Sequence, residues 1–248
     1  MRFLGGVNLA TEIVAIHVIW KIWDQLLSFV PHSVGVYGAP LTGKTTLDRQ
    51  LTSQGPVRPL SEEKDRTKHM KKPLSNQYIL PEATLKRVKS DGTKRMVRSR
   101  DIGGDEKYHN MWIRDMWQRK VATVVIVIDH RHLVESNNVD NQMAVEYIVE
   151  CLRTMKKPKG LGLKRIFQRK YHPARVIILA NKADLWLDTQ EELELWQRGA
   201  IMKHEIFQPF HEALYQLQEM NIPTYVDAVS AQVGWNVDKA LFRGIMDL

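Results

Sequence analysis

The chain has 248 residues, of which 44% are hydrophobic, and carries a formal net charge of +8. This length and apolar content suit one α/β domain with additions and exclude a wholly disordered chain. The single cysteine, Cys151, excludes an intrachain disulfide framework, and we expect a cytoplasmic protein. The basic charge favours acidic partners such as an anionic membrane surface or nucleic acid.

Residues 1–31 are predicted to form an N-terminal amphipathic helix. Its apolar positions recur at steps of three and four residues: Leu9, Ile13, Ile16, Trp20, Trp23, Leu27 and Val30. Such a face can pack on the domain or on a partner helix, and two tryptophans beside Lys21 also suit a membrane interface. Both interpretations of residues 1–30 remain open, so a peripheral membrane location is an alternative.

A phosphate-binding loop follows the short apolar run Val34 to Tyr37, which predicts a strand. The sequence matches G-x-x-x-x-G-K-[ST] over eight residues: Gly38, Ala39, Pro40, Leu41, Thr42, Gly43, Lys44 and Thr45. Successive N–H groups of such a P-loop line a nest for phosphate at a helix N-terminus. Lys44 can reach the β- and γ-phosphates, the Thr45 hydroxyl can bind Mg²⁺, and Thr46 extends the nucleotide-binding segment.

Strands and helices alternate along the rest of the chain. Beyond a long polar stretch at 54–76, two strands at 83–88 and 94–100 flank an Asp-Gly turn and predict a hairpin. Further strands are predicted at 121–128, 175–180 and 224–228, and helices at 139–154, 189–198, 201–220 and from 237 onward. This alternation predicts an α/β fold, a mainly parallel six-stranded sheet with one antiparallel edge hairpin and helices on both faces.

Two further motifs follow predicted strands. Asp101-Ile102-Gly103-Gly104 can place a carboxylate near Mg²⁺ and a backbone N–H of Gly104 near a γ-phosphate.

Asn181-Lys182-Ala183-Asp184 has the pattern needed to read guanine. The Asp184 carboxylate can accept from N1–H and the 2-amino group, which adenine cannot offer. Asn181 can support the P-loop, the Lys182 stem can cover the base, and Ser230-Ala231 can supply an N–H to the guanine oxygen. Together the motifs predict a guanine-nucleotide site.

With these motifs, the chain resembles the small GTPases of the Ras superfamily, most closely the Arf/Arl and Sar branch. That branch carries D-V-G-G-Q followed by a distant tryptophan, and here the sequence reads Asp101-Ile102-Gly103-Gly104-Asp105 with Trp112 further on. The resemblance implies a P-loop NTPase G domain over 32–248, GTP or GDP with Mg²⁺ as ligands, and regulators and effectors that bind its switch regions.

Two departures from the family pattern affect catalysis. Asp105 stands where the family carries a glutamine that orients water, and Glu106 does not replace it, so unaided hydrolysis should be slow. The first switch is long; Thr67 is the expected Mg²⁺-binding threonine, and Thr84 is the alternative. Arg66 could act as a built-in arginine finger or could be a solvated charge.

A basic insertion at about 156–172 has no counterpart in simple members of the family. Its cations, which lie at 156–170 without an intervening acid, could bind anionic lipid or nucleic acid or could form a solvated loop. Three hypotheses therefore remain: a GTP-hydrolysing switch, a GTP-bound scaffold with little or no hydrolysis, and an adaptor that binds a membrane or nucleic acid.

Overall fold

A mainly parallel sheet forms the centre of the part of the protein that the computed structural model describes, residues 32–53, 76–77, 97–99, 102–154 and 171–246. These residues belong to the unit formed by His32–Ile79 and Val97–Leu248. The strands are β1 (His32–Tyr37), β2 (Asn76–Gln77), β3 (Val97–Ser99), β4 (Thr123–Ile128), β5 (Arg175–Ala180) and β6 (Thr224–Ala228). The predicted N-terminal helix, 1–31, lies outside the described residues, as do residues 155–170 of the basic insertion.

The strand order is β2-β3-β1-β4-β5-β6, and β1, β4, β5 and β6 form a continuous parallel body. In register, Val36 lies beside Val125, which lies beside Ile177. The run of β-branched residues in β4 is buried along its whole length, as expected of a strand covered on both faces. The predicted mainly parallel α/β architecture is therefore confirmed.

The edge of the sheet differs from the prediction of a hairpin between full strands. The antiparallel neighbour of β3 is β2, with Asn76 beside Ser99 and Gln77 beside Arg98. The predicted strand at 83–88 lies outside the described residues, and of the strand predicted at 94–100 the structure describes Val97–Ser99, which is β3. The polar stretch predicted at 54–76 shows no strand periodicity, yet its last residue, Asn76, begins β2 and pairs with β3.

Helices cover both faces of the sheet. They are α1 (Lys44–Ser53), α2 (His109–Arg119), α3 (Arg131–Val134), α4 (Asp140–Thr154), α5 (Gln190–Gln197), α6 (His211–Glu219) and α7 (Val237–Met246). Val124 and Ile126 share a core cluster with Ile148 of α4. Since side chains alternate along a strand, the buried Val125 faces the opposite side, where α1 and α7 pack. Among the described helices, none is long and apolar enough to cross a membrane.

A buried polar network fixes α2 against β1. The Tyr37 hydroxyl donates to Asp115 Oδ2 at 2.8 Å, and Arg119 Nε donates to Asp115 Oδ1 at 2.7 Å. Arg119 also donates from Nη1 to the Val34 carbonyl at 3.0 Å and to Ser33 Oγ at 3.2 Å. Burial and the neighbouring Asp115 carboxylate raise the pKa of Tyr37, so the phenol stays protonated. Only Asp105 and a 3₁₀ turn, Glu106–Tyr108, separate Gly104 from α2, so this network helps to position the Gly103-Gly104 segment.

Replacing Asp115 with alanine is expected to destabilise the protein by about 3–5 kcal/mol, because the change leaves the Arg119 guanidinium in a site that is 13% exposed without its carboxylate partner. The measurement is urea unfolding followed by circular dichroism. Glu150→Ala, which removes one partner of an exposed ion pair with Arg153, is the control and should cost less than about 1 kcal/mol. Equal losses for the two variants would contradict the role assigned to the network.

Candidate functional site

The P-loop connects the end of β1 to the start of α1 at the carboxyl edge of the sheet. Gly38 has φ of +142° and Gly43 has φ of +87°, backbone conformations that side-chain-bearing residues rarely adopt. A Cβ on Gly38 would lie 2.2 Å from the Val127 carbonyl oxygen, and one on Gly43 would lie 2.3 Å from Asn181 Nδ2. Both glycines are therefore required by close approaches as well as by the turn itself.

Lys44 and Thr42 both donate to a carbonyl oxygen within the P-loop. Lys44 Nζ donates to the Ala39 carbonyl oxygen at 2.6 Å, and Thr42 Oγ1 donates to the same oxygen at 3.0 Å. Thr45 and Thr46 line the cavity at the start of α1. The loop thus brings an ammonium group and a helix N-terminus to one place, an arrangement that binds anions.

Asn181 joins three loops. Its side-chain Nδ2 donates to the Thr42 carbonyl oxygen at 2.8 Å, and its Oδ1 accepts from the Ala231 N–H at 2.9 Å. The side chain is 3% exposed, so both bonds are shielded from water. The structure therefore brings the N-K-x-D segment, the P-loop and the Ser230-Ala231 segment together, although they are far apart in sequence.

Lys182 and Asp184 lie on the rim formed after β5. Lys182 has φ of +59° and starts a 3₁₀ turn over Ala183–Leu185. Its Nζ lies 2.9 Å from Asp129 Oδ2, while Asp184 is exposed and lines the cavity. An exposed carboxylate at a cavity wall can accept hydrogen bonds from a ligand without first losing an internal partner.

The segment Ser230-Ala231 is held by internal hydrogen bonds. Ser230 exchanges backbone hydrogen bonds with Trp235 at 3.0 and 3.1 Å, and the Ala231 N–H donates to Asn181. The Ser230 hydroxyl is buried, and its oxygen has no hydrogen-bond partner among the described residues. An Ala231 N–H that also served a base oxygen would have to share its hydrogen between that oxygen and Asn181.

The structure also brings in residues that the sequence motifs do not include. Asp129, directly after β4, is 0% exposed and accepts from Asn141 Nδ2 at 3.0 Å and from Arg131 Nε at 2.9 Å. Burial would raise the pKa of Asp129, but the Asn141 hydrogen bond and the charges of Lys182 and Arg131 hold it below its ordinary value. These residues could have been found from their place after a buried parallel strand, since carboxyl ends of such strands line ligand sites.

The Gly103-Gly104-Asp105 segment lies against the P-loop. A Cβ on Gly104 would be 2.6 Å from both the Ala39 carbonyl carbon and the Pro40 nitrogen. Trp112 is fully buried, and its Nε1 donates to the Gly103 carbonyl oxygen at 3.0 Å. Asp105 lines the cavity, and its carboxylate lies 3.0 Å from Lys107 Nζ.

These segments enclose a cavity of about 820 Å³. Its wall combines the P-loop, Gly104 and Asp105, His130 and Arg131, and the N-K-x-D segment with Gln232. In the part of the chain that the structure describes, no group of three or more His, Cys, Asp or Glu side chains could hold a metal. The expected site residues Asp101, Arg66 and Thr67, and the alternative Thr84, lie outside the described residues.

Comparison with known proteins gives no family. No protein-family model matches the chain, and no curated protein is similar to it. Among solved structures, the chain is similar to a bacterial selenocysteine-specific elongation factor, EF-Sec, with 15% identity and a TM-score of 0.49. The match covers 88% of this chain and 29% of the elongation factor. Function therefore rests on the geometry of the site itself.

Proposed function

We propose that this chain binds guanine nucleotide with Mg²⁺ and acts as a molecular switch of the small GTPase type, hydrolysing GTP slowly or with help from an activating partner. The observation that carries the proposal is the pair of hydrogen bonds made by Asn181 to Thr42 and Ala231. Through them, a loop shaped for phosphate and a segment shaped for guanine share one cavity. A chance match to either motif alone would not require this contact.

Different residues of the site would bind the phosphates and the base of the nucleotide. The P-loop amides and Lys44 would bind the phosphates, with Lys44 exchanging the Ala39 carbonyl for phosphate oxygens. Asp184 would accept from the guanine N1–H and 2-amino groups. Lys182, held by Asp129, would lay its carbon stem along the base.

A hydroxyl group at the cavity wall supports the proposed binding of Mg²⁺. The Thr45 hydroxyl is a hard oxygen donor at the cavity wall next to Lys44, and Mg²⁺ prefers such oxygens together with those of phosphate. Thr67 and Asp101 remain the proposed further contacts. When bound, Mg²⁺ neutralises charge on the β- and γ-phosphate oxygens.

Hydrolysis would be an in-line attack of water on the γ-phosphorus, forming inorganic phosphate and GDP. Lys44 and the Gly104 N–H would stabilise charge on the transferring group. Asp105 offers no amide to orient the water, and its carboxylate repels the γ-phosphate, so the unaided rate should be low.

A second candidate function is a GTP-bound scaffold with little or no hydrolysis. It is favoured by the position of Asp105, which lines the cavity and is paired with Lys107 at 3.0 Å. In that case the GTP-bound surface would recruit partners for as long as the nucleotide stays bound.

The finer assignments are also proposals. The Arf-like branch is supported by Trp112, which holds the Gly103 carbonyl in the segment where that branch carries its motif. Regulators and effectors would contact the segments around Thr67 and 101–108, where GTP and GDP differ. A cytoplasmic location with peripheral membrane contact through 1–30 and 156–170 remains a further proposal, and an adaptor role would depend on that contact.

Nucleotide titration tests the proposed function. We expect the protein to bind GDP and GTP in the presence of Mg²⁺ and to bind ATP at least about 10³-fold more weakly. Lys44→Ala should weaken GTP binding about 10- to 100-fold, because a charged hydrogen bond to phosphate is lost. Fluorescent nucleotide analogues provide the measurement, and Lys203→Ala, an exposed cation outside the cavity, is the matched control. Equal affinity for ATP and GTP, or binding of neither, would overturn the proposal.

A further inference from the structure

Arg131 reaches from the end of β4 to the P-loop. Its Nη2 donates to the Pro40 carbonyl oxygen at 2.5 Å, and its Nε donates to the two Asp129 oxygens at 2.9 and 3.1 Å. The Arg131 side chain is 15% exposed, and the carboxylate that holds it is fully buried. The buried Asp129 carboxylate therefore holds the Arg131 guanidinium in place.

Arg131 and Lys44 bind neighbouring peptide groups. Lys44 Nζ donates to the Ala39 carbonyl oxygen, and Arg131 Nη2 donates to the next carbonyl oxygen, that of Pro40. Both side chains also line the same cavity. A phosphate bound by Lys44 would consequently lie within reach of the Arg131 guanidinium.

The Ala39-Pro40 peptide also faces the segment expected to meet the γ-phosphate. Gly104 approaches it so closely that a Cβ would lie 2.6 Å from the Ala39 carbonyl carbon. Gly104 therefore approaches the Ala39–Pro40 peptide, and Arg131 binds the carbonyl of the next peptide. If the Gly104 N–H meets the γ-phosphate, as the proposed function requires, Arg131 would lie near the same phosphate.

Arg131 and its ion-pair partners together keep a net positive charge. The buried Asp129 carboxylate is shared by two cations, Arg131 and Lys182, so this group of three keeps one net positive charge. Arg131 Nη1 has no hydrogen-bond partner among the described residues and remains available as a donor. A planar guanidinium with two donors on its outer edge matches the oxygens of a phosphate.

We propose that Arg131 binds the terminal phosphate of the triphosphate, exchanging the Pro40 carbonyl for a γ-phosphate oxygen while Asp129 keeps its hold on Nε. This inference rests on the proposed function and assigns the triphosphate-sensing cation to the chain itself. Arg131 would thus take the phosphate-binding role that the sequence analysis considered for Arg66, which lies outside the described residues. An arginine that only shaped the P-loop would instead support diphosphate and triphosphate equally.

The test compares affinities for GDP and for a slowly hydrolysed GTP analogue, both with Mg²⁺, in Arg131→Ala and Arg131→Lys. We expect Arg131→Ala to weaken the triphosphate about 10- to 100-fold and to change GDP affinity by no more than about twofold. The triphosphate affinity of Arg131→Lys should lie between those of the wild type and Arg131→Ala, since lysine keeps the charge and lacks the planar pair of guanidinium donors. Arg198→Ala, an exposed arginine paired with Glu194 away from the cavity, should match the wild type.

The outcomes separate the two proposals. Retained GDP binding shows that each variant is folded. Equal weakening of GDP and the triphosphate would make Arg131 a clamp of the P-loop and overturn the inference, as would unchanged affinity for both. If the wild-type protein binds neither nucleotide, the proposed function itself fails.

Discussion

Replacing Asp184 with alanine is expected to lower the preference for GTP over ATP by about 10³-fold, mainly through weaker GTP binding. The carboxylate is exposed on the 3₁₀ turn Ala183–Leu185 and lines the cavity. With guanine it would accept two hydrogen bonds, each charge-assisted. With adenine it would lose water and gain no donor in return, so removing the carboxylate should leave ATP affinity unchanged or slightly higher.

The measurement is competition of GTP and ATP against a fluorescent guanine nucleotide. Asp188→Ala is the matched control, because it removes an exposed carboxylate four residues further along that does not line the cavity. This control should keep the wild-type preference. A GTP preference that survived Asp184→Ala would show that the base is read elsewhere, and Asn181 and the Ala231 N–H would be the next groups to test.

Strands β4 and β5 were predictable from the sequence because they are long apolar runs that are buried along their whole length. The predicted bounds of β5 and β6 agree with the structure, and β4 begins two residues later than predicted. Continuous β-branched and aliphatic runs such as the one in β5 suit a strand buried on both faces and few other structures.

Helix α2 was not predicted, although its buried face recurs at helical spacing. His109, Trp112, Asp115 and Met116 are all buried, but two of the four are polar. The apolar stripe that would indicate a helix is therefore interrupted. Asp115 can be buried because its carboxylate accepts hydrogen bonds from Tyr37 and Arg119. Tyr37 lies 78 positions away in the sequence, so a local sequence pattern cannot reveal this partner.

The helix predicted at 201–220 is wrong in its first half. Within this range the structure has 3₁₀ turns at Ile201–Lys203 and Glu205–Phe210, followed by the α-helix α6 at His211–Glu219. His204 ends the first turn, and its Nδ1 accepts from the Ile206 N–H at 3.1 Å. Pro209 then lacks the N–H that a continuous helix would use. The apolar spacing remained helical because 3₁₀ and α turns place side chains on similar faces.

In the site too, contiguous motifs could be recognised in the sequence, whereas contacts between distant residues could not. The P-loop and N-K-x-D segments could be identified from the sequence because each motif is contiguous. The predicted support of the P-loop by Asn181 is observed as a hydrogen bond to the Thr42 carbonyl. Asp129 and Arg131 were not predicted to be near the cavity, because their contacts are with Lys182 and Pro40, which lie in other loops. Only the parallel order of β1, β4 and β5 brings these loops to one edge of the sheet.

Replacing Asp105 with glutamine is expected to raise the single-turnover rate of GTP hydrolysis about 10-fold or more. Asp105 precedes the 3₁₀ turn Glu106–Tyr108, and its side chain is 40% exposed at the cavity wall. A glutamine there would remove a negative charge that faces the γ-phosphate. Its amide could also donate to the phosphate while its oxygen accepts from the attacking water.

Glu106→Gln separates these effects from a general loss of negative charge. Glu106 is the next residue, is exposed and does not line the cavity, so the same change of charge there should leave the rate unaltered. The ion pair with Lys107 offsets part of the Asp105 charge, and Lys107→Ala should therefore slow hydrolysis in the wild-type background without affecting Asp105→Gln. If the wild type already hydrolyses GTP as fast as Asp105→Gln, Asp105 does not limit turnover, and the scaffold function loses its support.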